Sequence, residues 1–401
     1  MKRIYFDHAA TTPLDKRVLE TMEPFFLEKF GNASSLHSFG REAREAIDKS
    51  REIIAKAIGA EENEIVFNSG GTEGDNTAIR GIMLASKKKN LVTSTIEHHA
   101  VEHTAKQLER EGFSANFVGV DSKGFLDLEL LEKELGEKTA LVSIMHANNE
   151  IGTIEPIKEI GEICRRKEIV FHTDAVQSVG KEKIDVEKMN IDLLSASAHK
   201  FYGPKGTGFL YVKNGTKIKP LMQGGGHENG MRSGTENVAG IVGMAKALEI
   251  VEKERGEESE RERALAKRLV KQALEMPNSW INGPPIGKKR LGNNVNLGFD
   301  FVEGESMVLM LDDKGIACST GSACSTKDLS PSHVLTAIGL KPWQAHGSLR
   351  LTSGRSTLEK DVDFAAENIA EIVEKLREIS PLKKGINISK YEKGFEEMHK
   401  H

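Results

Sequence analysis

Between Glu64 and Val212 the sequence repeatedly sets a short apolar run before a longer amphipathic stretch. The runs are Ile65-Val66-Phe67, Leu91 to Thr95, Ala115 to Val120, Ala140 to Met145, Ile169 to Thr173, Leu193 to Ser197 and Phe209 to Val212. Runs of this kind read as strands covered on both faces, and strands alternating with helical segments build a mainly parallel sheet between helix layers. Ligands of such a sheet sit beyond the carboxyl ends of its strands, so the residues that follow each run carry the functional information.

Polar residues gather at those ends. Asn68-Ser69-Gly70-Gly71-Thr72-Glu73-Gly74-Asp75-Asn76 follows the first run and opens a helix expected to reach about Leu84. Its glycines permit a sharp turn, and a helix N-terminus attracts anions, so the segment reads as a phosphate cradle or, with equal weight, as a plain turn. It matches neither GxxxxGK[ST] nor a GxGxxG with its distant acidic residue, which sets aside the common nucleotide loops. Glu97-His98-His99-Ala100 and His146-Ala147-Asn148-Asn149-Glu150 place rings and amides at the same edge. Asp174 emerges from a buried strand, where a carboxylate calls for a cation. Lys200 follows the run ending at Ser197 and precedes the turn Gly203-Pro204-Lys205-Gly206. Taken alone it reads as a surface lysine, yet a lysine held among small residues at a strand end is also where an amine becomes nucleophilic. Cradle, ring, carboxylate and lysine together point to pyridoxal phosphate, with its phosphate on the loop, its ring nitrogen on Asp174 and its aldehyde on Lys200.

Composition narrows the class further. A chain of 401 residues with 38% apolar content exceeds one hydrophobic core. Its 56 basic and 60 acidic residues leave a formal charge of −4, which gives no electrostatic footprint for nucleic acid or an anionic membrane. No apolar run approaches the ~18 residues of a membrane span. The start, Met1-Lys2-Arg3-Ile4-Tyr5-Phe6-Asp7, turns polar too soon for a signal peptide, so a cytoplasmic location is expected. Three cysteines, Cys164, Cys318 and Cys324, are too few for a disulfide framework and suit a reducing compartment. His99 and His103 stand four apart, but no HExxH is present, and a solvated helix face is preferred to a metal clamp. The charge run Glu254 to Arg263 likewise reads as a solvated helix face.

Longer motifs carry more. Tyr5-Phe6-Asp7-His8-Ala9-Ala10-Thr11-Thr12-Pro13, Ser69-Gly70-Gly71-Thr72-Glu73, Asn148-Asn149-Glu150-Ile151-Gly152, Asp174-Ala175-Val176-Gln177-Ser178, His199-Lys200, Gly224 to Thr235, Gly321-Ser322-Ala323-Cys324 and Ser348-Leu349-Arg350-Leu351 occur in that order. Over nearly the whole chain this resembles the NifS/IscS-type cysteine desulfurases of the class V aminotransferase family. The resemblance implies an α/β fold like that of aspartate aminotransferase, fold type I of the pyridoxal-phosphate enzymes. A large cofactor-binding domain with a mainly parallel central sheet would span residues 16–245. A smaller C-terminal α/β domain, from 1–15 and 246–382, would carry the Cys324 loop, and 383–401 would form an extension. A homodimer with its active sites at the subunit interface is implied as well.

By motif, Gly71, Thr72, Ser197, His199 and, from the second subunit, Thr235 would hold the phosphate, with Ala198 in the same cofactor site. His98 would stack on the ring and assist catalysis, Asp174 would pair with the ring nitrogen, and Asn149 and Gln177 would bond the phenolic oxygen. Arg350, with Asn149, would bind the substrate carboxylate, a task suited to the guanidinium fork. Lys200 would move the α-proton of L-cysteine, and L-alanine would leave while the sulfur stayed as a persulfide on Cys324. The length of Gly321 to Pro331 resembles the subgroup that delivers to an IscU-type iron–sulfur cluster scaffold protein, where Cys324 would also be a shared ligand of a [2Fe–2S] cluster. Its neighbours are small and polar, so a mobile loop is expected. Cys318 departs from the small non-thiol residue of the relatives. It either competes with Cys324 or is buried behind the short core strand expected at Gly315-Ile316-Ala317. A selenocysteine lyase or an aminotransferase would use Lys200 and Asp174 without depending on Cys324, and a non-catalytic assembly protein would need none of the three.

Overall fold

In chain order the strands are β1 (Ile4–Tyr5), β2 (Ile65–Asn68), β3 (Asn90–Ser94), β4 (Ser114–Val118), β5 (Thr139–Ser143), β6 (Val170–Asp174), β7 (Leu193–Ser197), β8 (Gly208–Val212), β9 (Ser279–Ile281), β10 (Asn294–Phe299), β11 (Ile316–Ala317) and β12 (Ser348–Thr352). They belong to a computed structural model that describes residues 3–321 and 331–380, so Cys324 and the extension 383–401 lie outside the described residues.

Each apolar run noted above forms a strand of one seven-stranded sheet, ordered β2-β8-β7-β6-β5-β3-β4. The pairs β3 with β4, β3 with β5, β5 with β6 and β6 with β7 are parallel. Only β8 runs antiparallel, between β7 and β2. The reason is the connection: residues 198–207 loop back from β7 to β8 without a crossover helix, whereas parallel neighbours require a crossover. Successive side chains feed opposite cores. Val92, Val142, Phe171, Leu194 and Phe209 pack with Ile47, Ile54, Ile160 and Met244. Their neighbours Leu91, Leu141, Leu193 and Leu210 pack on the other face with Ile79, Met83, Val101 and Leu108. Burial on both faces makes these strands read as continuous apolar runs rather than alternating ones.

A second, antiparallel sheet, β12-β10-β9, has its own core of Val295, Leu297, Phe299, Leu349 and Leu351 under helix Gly304–Asp313 and helix Glu359–Ile379. The parallel pair β1 and β11 brings the N-terminal segment to that core, where Ile4 and Phe6 are buried. One long helix, Val238–Ala273, serves both regions. Ile241, Met244, Leu248 and Val251 join the first core, and Leu265, Ala266, Leu269 and Ala273 join the second.

The charge run Glu254 to Arg263 lies midway along this helix, and the expectation of a solvated face needs correction. Glu262 is buried, Arg261 donates to the carbonyls of Gly354 and Thr357, and Glu254 pairs with Arg17 and Arg355. A helix that crosses from one core to the other turns its charges toward the segments it passes, where they act as ties. Among the described residues no helix is long and apolar enough to cross a membrane.

Candidate active site

Strand β7 runs directly into a 3-10 turn, Ala198–Lys200. The amides of Phe201 (3.1 Å) and Gly203 (2.9 Å) both donate to the Ala198 carbonyl, and a Cβ on Gly203 would fall 2.8 Å from that of Ala198. Tyr202 consequently adopts φ 66°, a left-handed conformation that a non-glycine residue keeps only when its surroundings enforce it. The Tyr202 amide donates to Thr12 Oγ1 (2.8 Å), and its hydroxyl accepts from the Arg355 amide (2.9 Å). Lys200 is fixed by this turn, and its Nζ donates to the carbonyls of Ala9 (2.6 Å) and Ala10 (2.8 Å). Gln177 Nε2 donates to the same Ala9 carbonyl (2.9 Å), and His199 Nδ1 lies 3.1 Å from Thr11 Oγ1. The N-terminal segment thus lies across the lysine. Its motif stood out in the sequence, but contacts made by backbone carbonyls leave no side-chain signal.

Asp174 closes β6 and is 5% exposed. Its Oδ1 accepts from the Val176 amide at 2.9 Å. Burial raises its pKa to about 6, against the lowering effects of that bond and of the Lys200 charge. Behind it lies a buried polar group that sequence reasoning did not single out. His172 contacts Ser143 Oγ (2.8 Å) and Ser195 Oγ (3.0 Å), and Asp75 Oδ1 stands 3.7 Å from His172 Nε2. Burial pushes His172 down to about 3, so its ring is neutral. Burial, then the charge of Asp174, pushes Asp75 well above its ordinary value and so favours its protonated form beside Asp174. The available signal was a histidine inside an otherwise apolar strand.

The glycine-rich segment forms a turn into helix Gly71–Ala85. A Cβ on Gly71 would fall 2.4 Å from Val176 Cγ2, so only glycine fits there, and one on Gly70 would fall 3.2 Å from Ser197 Oγ. The Ser69 amide donates to Glu73 Oε2 and the Gly70 amide to Asn68 Oδ1. The amides of Gly71 and Thr72, in the first turn, have no intrahelical acceptor and suit an anion. His98 caps the next helix, His99–Arg110, through its Nδ1, which accepts from the Ala100 amide at 3.1 Å. Burial, then the charge of Lys200, lowers His98 to about 4, and the same two causes lower His199 to about 4. Both rings are neutral, and the influence of Lys200 on His98, His199 and Asp174 places all four in one electrostatic field.

Arg350 comes from the second sheet, on β12. Its Nη2 bonds Asp7 Oδ1 (2.8 Å), its Nη1 donates to the Asn149 carbonyl (3.0 Å), and its buried Nε has no partner among the described residues. Thr235 is exposed, and its loop reaches the cradle through Arg232 Nε, 2.9 Å from Glu73 Oε1. Cys318 follows β11, and burial pushes its thiol up to about 12. Among the described residues those present fit pyridoxal phosphate: first-turn amides without an intrahelical acceptor for a phosphate, a neutral ring at His98, a buried carboxylate that accepts from the Val176 amide, and a lysine amine held on carbonyls.

Comparison with known proteins agrees with this geometry. The model of the aminotransferase class-V family matches residues 4–364. The cysteine desulfurase IscS of Clostridium botulinum (strain Hall) is 53% identical over 384 residues, covering 95% of this chain and 97% of that relative. A solved NifS-like protein superposes with a TM-score of 0.87 at 40% identity, over 93% of this chain and all of the other. SspA in complex with cysteine gives 0.78 at 38% identity, over 88% of this chain and 98% of that one. The chain belongs to the class-V aminotransferase family and has the fold of its pyridoxal-phosphate enzymes. Within that family it is one of the NifS/IscS-type cysteine desulfurases.

Proposed function

We propose that this desulfurase leaves the sulfur of L-cysteine as a persulfide on Cys324 and passes it to an iron–sulfur cluster scaffold protein. The observation that carries the catalytic half of this reading is Lys200, fixed at the end of β7 with its Nζ on two backbone carbonyls beside buried Asp174. Bound pyridoxal phosphate supplies a carbonyl for the substrate amine and an electron sink for the carbon that loses its proton. Gly71, Thr72, Ser197, His199 and the partner protomer's copy of Thr235 would hold its phosphate, with Ala198 beside them. His98 would lie on its ring, Asp174 at its nitrogen, and Asn149 and Gln177 at its phenolic oxygen.

The protein's own groups then divide the work. Arg350 binds the substrate carboxylate, with Asp7 fixing the guanidinium and buried Nε left for a ligand oxygen. Lys200 Nζ removes the proton from Cα and later returns one to Cβ. Neutral His98 protonates or deprotonates groups beside it without adding charge to a site already holding Lys200. Cys324, as thiolate, attacks the substrate sulfur. An S–S bond forms, the C–S bond breaks with its electron pair staying on Cβ, and a proton gained at Cβ together with one returned to Cα, in place of the one removed, gives alanine. The aminotransferase and selenocysteine lyase alternatives need no thiol, and they are distinguished by this step.

A homodimer is part of the same reading. Phe26, Leu27, Phe30 and Leu36 are 56%, 81%, 66% and 92% exposed within a short stretch, an apolar patch that a symmetric partner would cover. The [2Fe–2S] cluster shared through Cys324 in the scaffold complex belongs to this proposal too.

The test treats wild type, Cys318→Ser and Cys324→Ser with L-cysteine, alkylates them and locates added sulfur by peptide mass. Sulfur should appear on Cys324 and be unaffected by Cys318→Ser, because the half-buried Cys318 thiol, pushed up to about 12, ionises too little to compete. Persulfide on Cys318, with normal alanine formation in Cys324→Ser, would overturn the assignment.

A further inference from the structure

Beside the cofactor site, three residues that take no part in it converge. His99 and Glu102 occupy the first turn of helix His99–Arg110, and His333 opens the short helix His333–Ala337. One ligand atom from each lies within 4.8 Å of the other two. His99 Nδ1 and Glu102 Oε2 are 3.0 Å apart, close to the edge of a coordination polyhedron with bonds of about 2 Å. The sequence pair that invited a metal, His99 with His103, is not the one the fold assembles. Those rings stack at 5.0 Å with an interplanar angle of 28°, and His103 is not among the residues whose ligand atoms converge.

The surroundings prepare these groups for a cation. His333 Nε2 lies 2.8 Å from the backbone carbonyl of Glu97, which only accepts hydrogen bonds. A neutral His333 therefore carries its proton on Nε2 and has a lone pair at Nδ1, the arrangement common to metal-binding histidines that donate their other N–H to a carbonyl. Lys106 Nζ takes Glu102 Oε1 at 2.5 Å and leaves Oε2 toward His99. The second helix is pinned independently, because Ser332 Oγ caps it through the Leu335 amide and donates to Glu150 Oε2 at 2.6 Å. His333 is thus delivered to the other two by a fixed element.

We propose that His99, Glu102 and His333 form a binding site for a divalent first-row metal ion of the zinc class, with solvent completing its coordination. Two imidazoles and one carboxylate suit Zn²⁺, and they favour it over Mg²⁺ or Ca²⁺, which take oxygen ligands. The ion ties helix His99–Arg110, whose cap is His98, to the segment that directly follows residues 322–330 in the chain.

Equilibrium dialysis of Zn²⁺ against the holoenzyme, read by elemental analysis, tests this site. A Cys324→Ser background removes the competing thiol. One tightly held equivalent is expected, weakened by about tenfold or more in both His333→Gln and Glu102→Gln and changed less than about twofold in His103→Gln. A zinc-dependent rise in melting temperature should follow the same order, and unchanged far-ultraviolet dichroism would show that the variants fold. Failure of the parent protein to retain zinc, or equal retention by the His333→Gln and Glu102→Gln variants, would overturn the proposal.

Discussion

The seven-stranded and the three-stranded sheet contribute to the site in different ways. The large sheet ends its strands in a row, and β6 and β7 deliver Asp174 and the turn to Lys200 from buried backbone. The small sheet contributes through its face, where Arg350 lies mid-strand on β12 opposite Asn296 of β10. One sheet therefore positions by strand termini and the other by side-chain alternation. In the proposed function bond making falls to the first and substrate capture to the second.

Substitutions should separate these roles. Lys200→Ala should reduce turnover by about ten-thousandfold, the scale of a lost general base, while leaving the fold intact by dichroism. Asp174→Asn should slow exchange of the substrate α-proton by roughly a hundredfold, the scale of one well-placed electrostatic group, with a smaller effect on cofactor affinity. Exchange at the wild-type rate would make Asp174 structural and break the contrast. Arg350→Lys keeps a charge but loses the fork, so KM for L-cysteine should rise by about tenfold while kcat changes much less. An equal fall in kcat would move Arg350 to the bond-making side.

How far each sheet was legible in the sequence follows the same division. The strands of the large sheet are buried on both faces, so Leu91-Val92 or Leu193-Leu194 declare themselves without reference to partners. In the small sheet Val295 and Leu297 alternate with Asn294 and Asn296, all buried, and the polar half of that pattern disguises a core strand. At the site, strand-end side chains were readable, whereas the Ala9 and Ala10 carbonyls and the Asp75–His172 contact depend on segments distant in sequence. The charge run near Glu262 misled because a bridging helix buries charges that an ordinary surface helix would leave in water.

The smallest effect concerns pH. Burial raises Glu97 from the ordinary 4.5 to about 8, against hydrogen bonds from Ser94 Oγ and the Met145 amide. The native state keeps its proton where the unfolded chain releases it. Its contribution to stability is therefore complete below about 4.5 and is lost as pH rises through about 8. Glu97→Gln should flatten part of the decline in denaturation midpoint between about pH 5 and about pH 8.5, with little change in turnover.

In the proposed function one lysine, Lys200, held on the Ala9 and Ala10 carbonyls, carries the cofactor. Borohydride reduction of the purified holoenzyme followed by peptide mapping tests it most directly. The reduced pyridoxyl adduct is expected on Lys200 alone. An adduct on another lysine, such as Lys181 with its buried Nζ, or no adduct in protein that still turns over L-cysteine, would overturn this assignment.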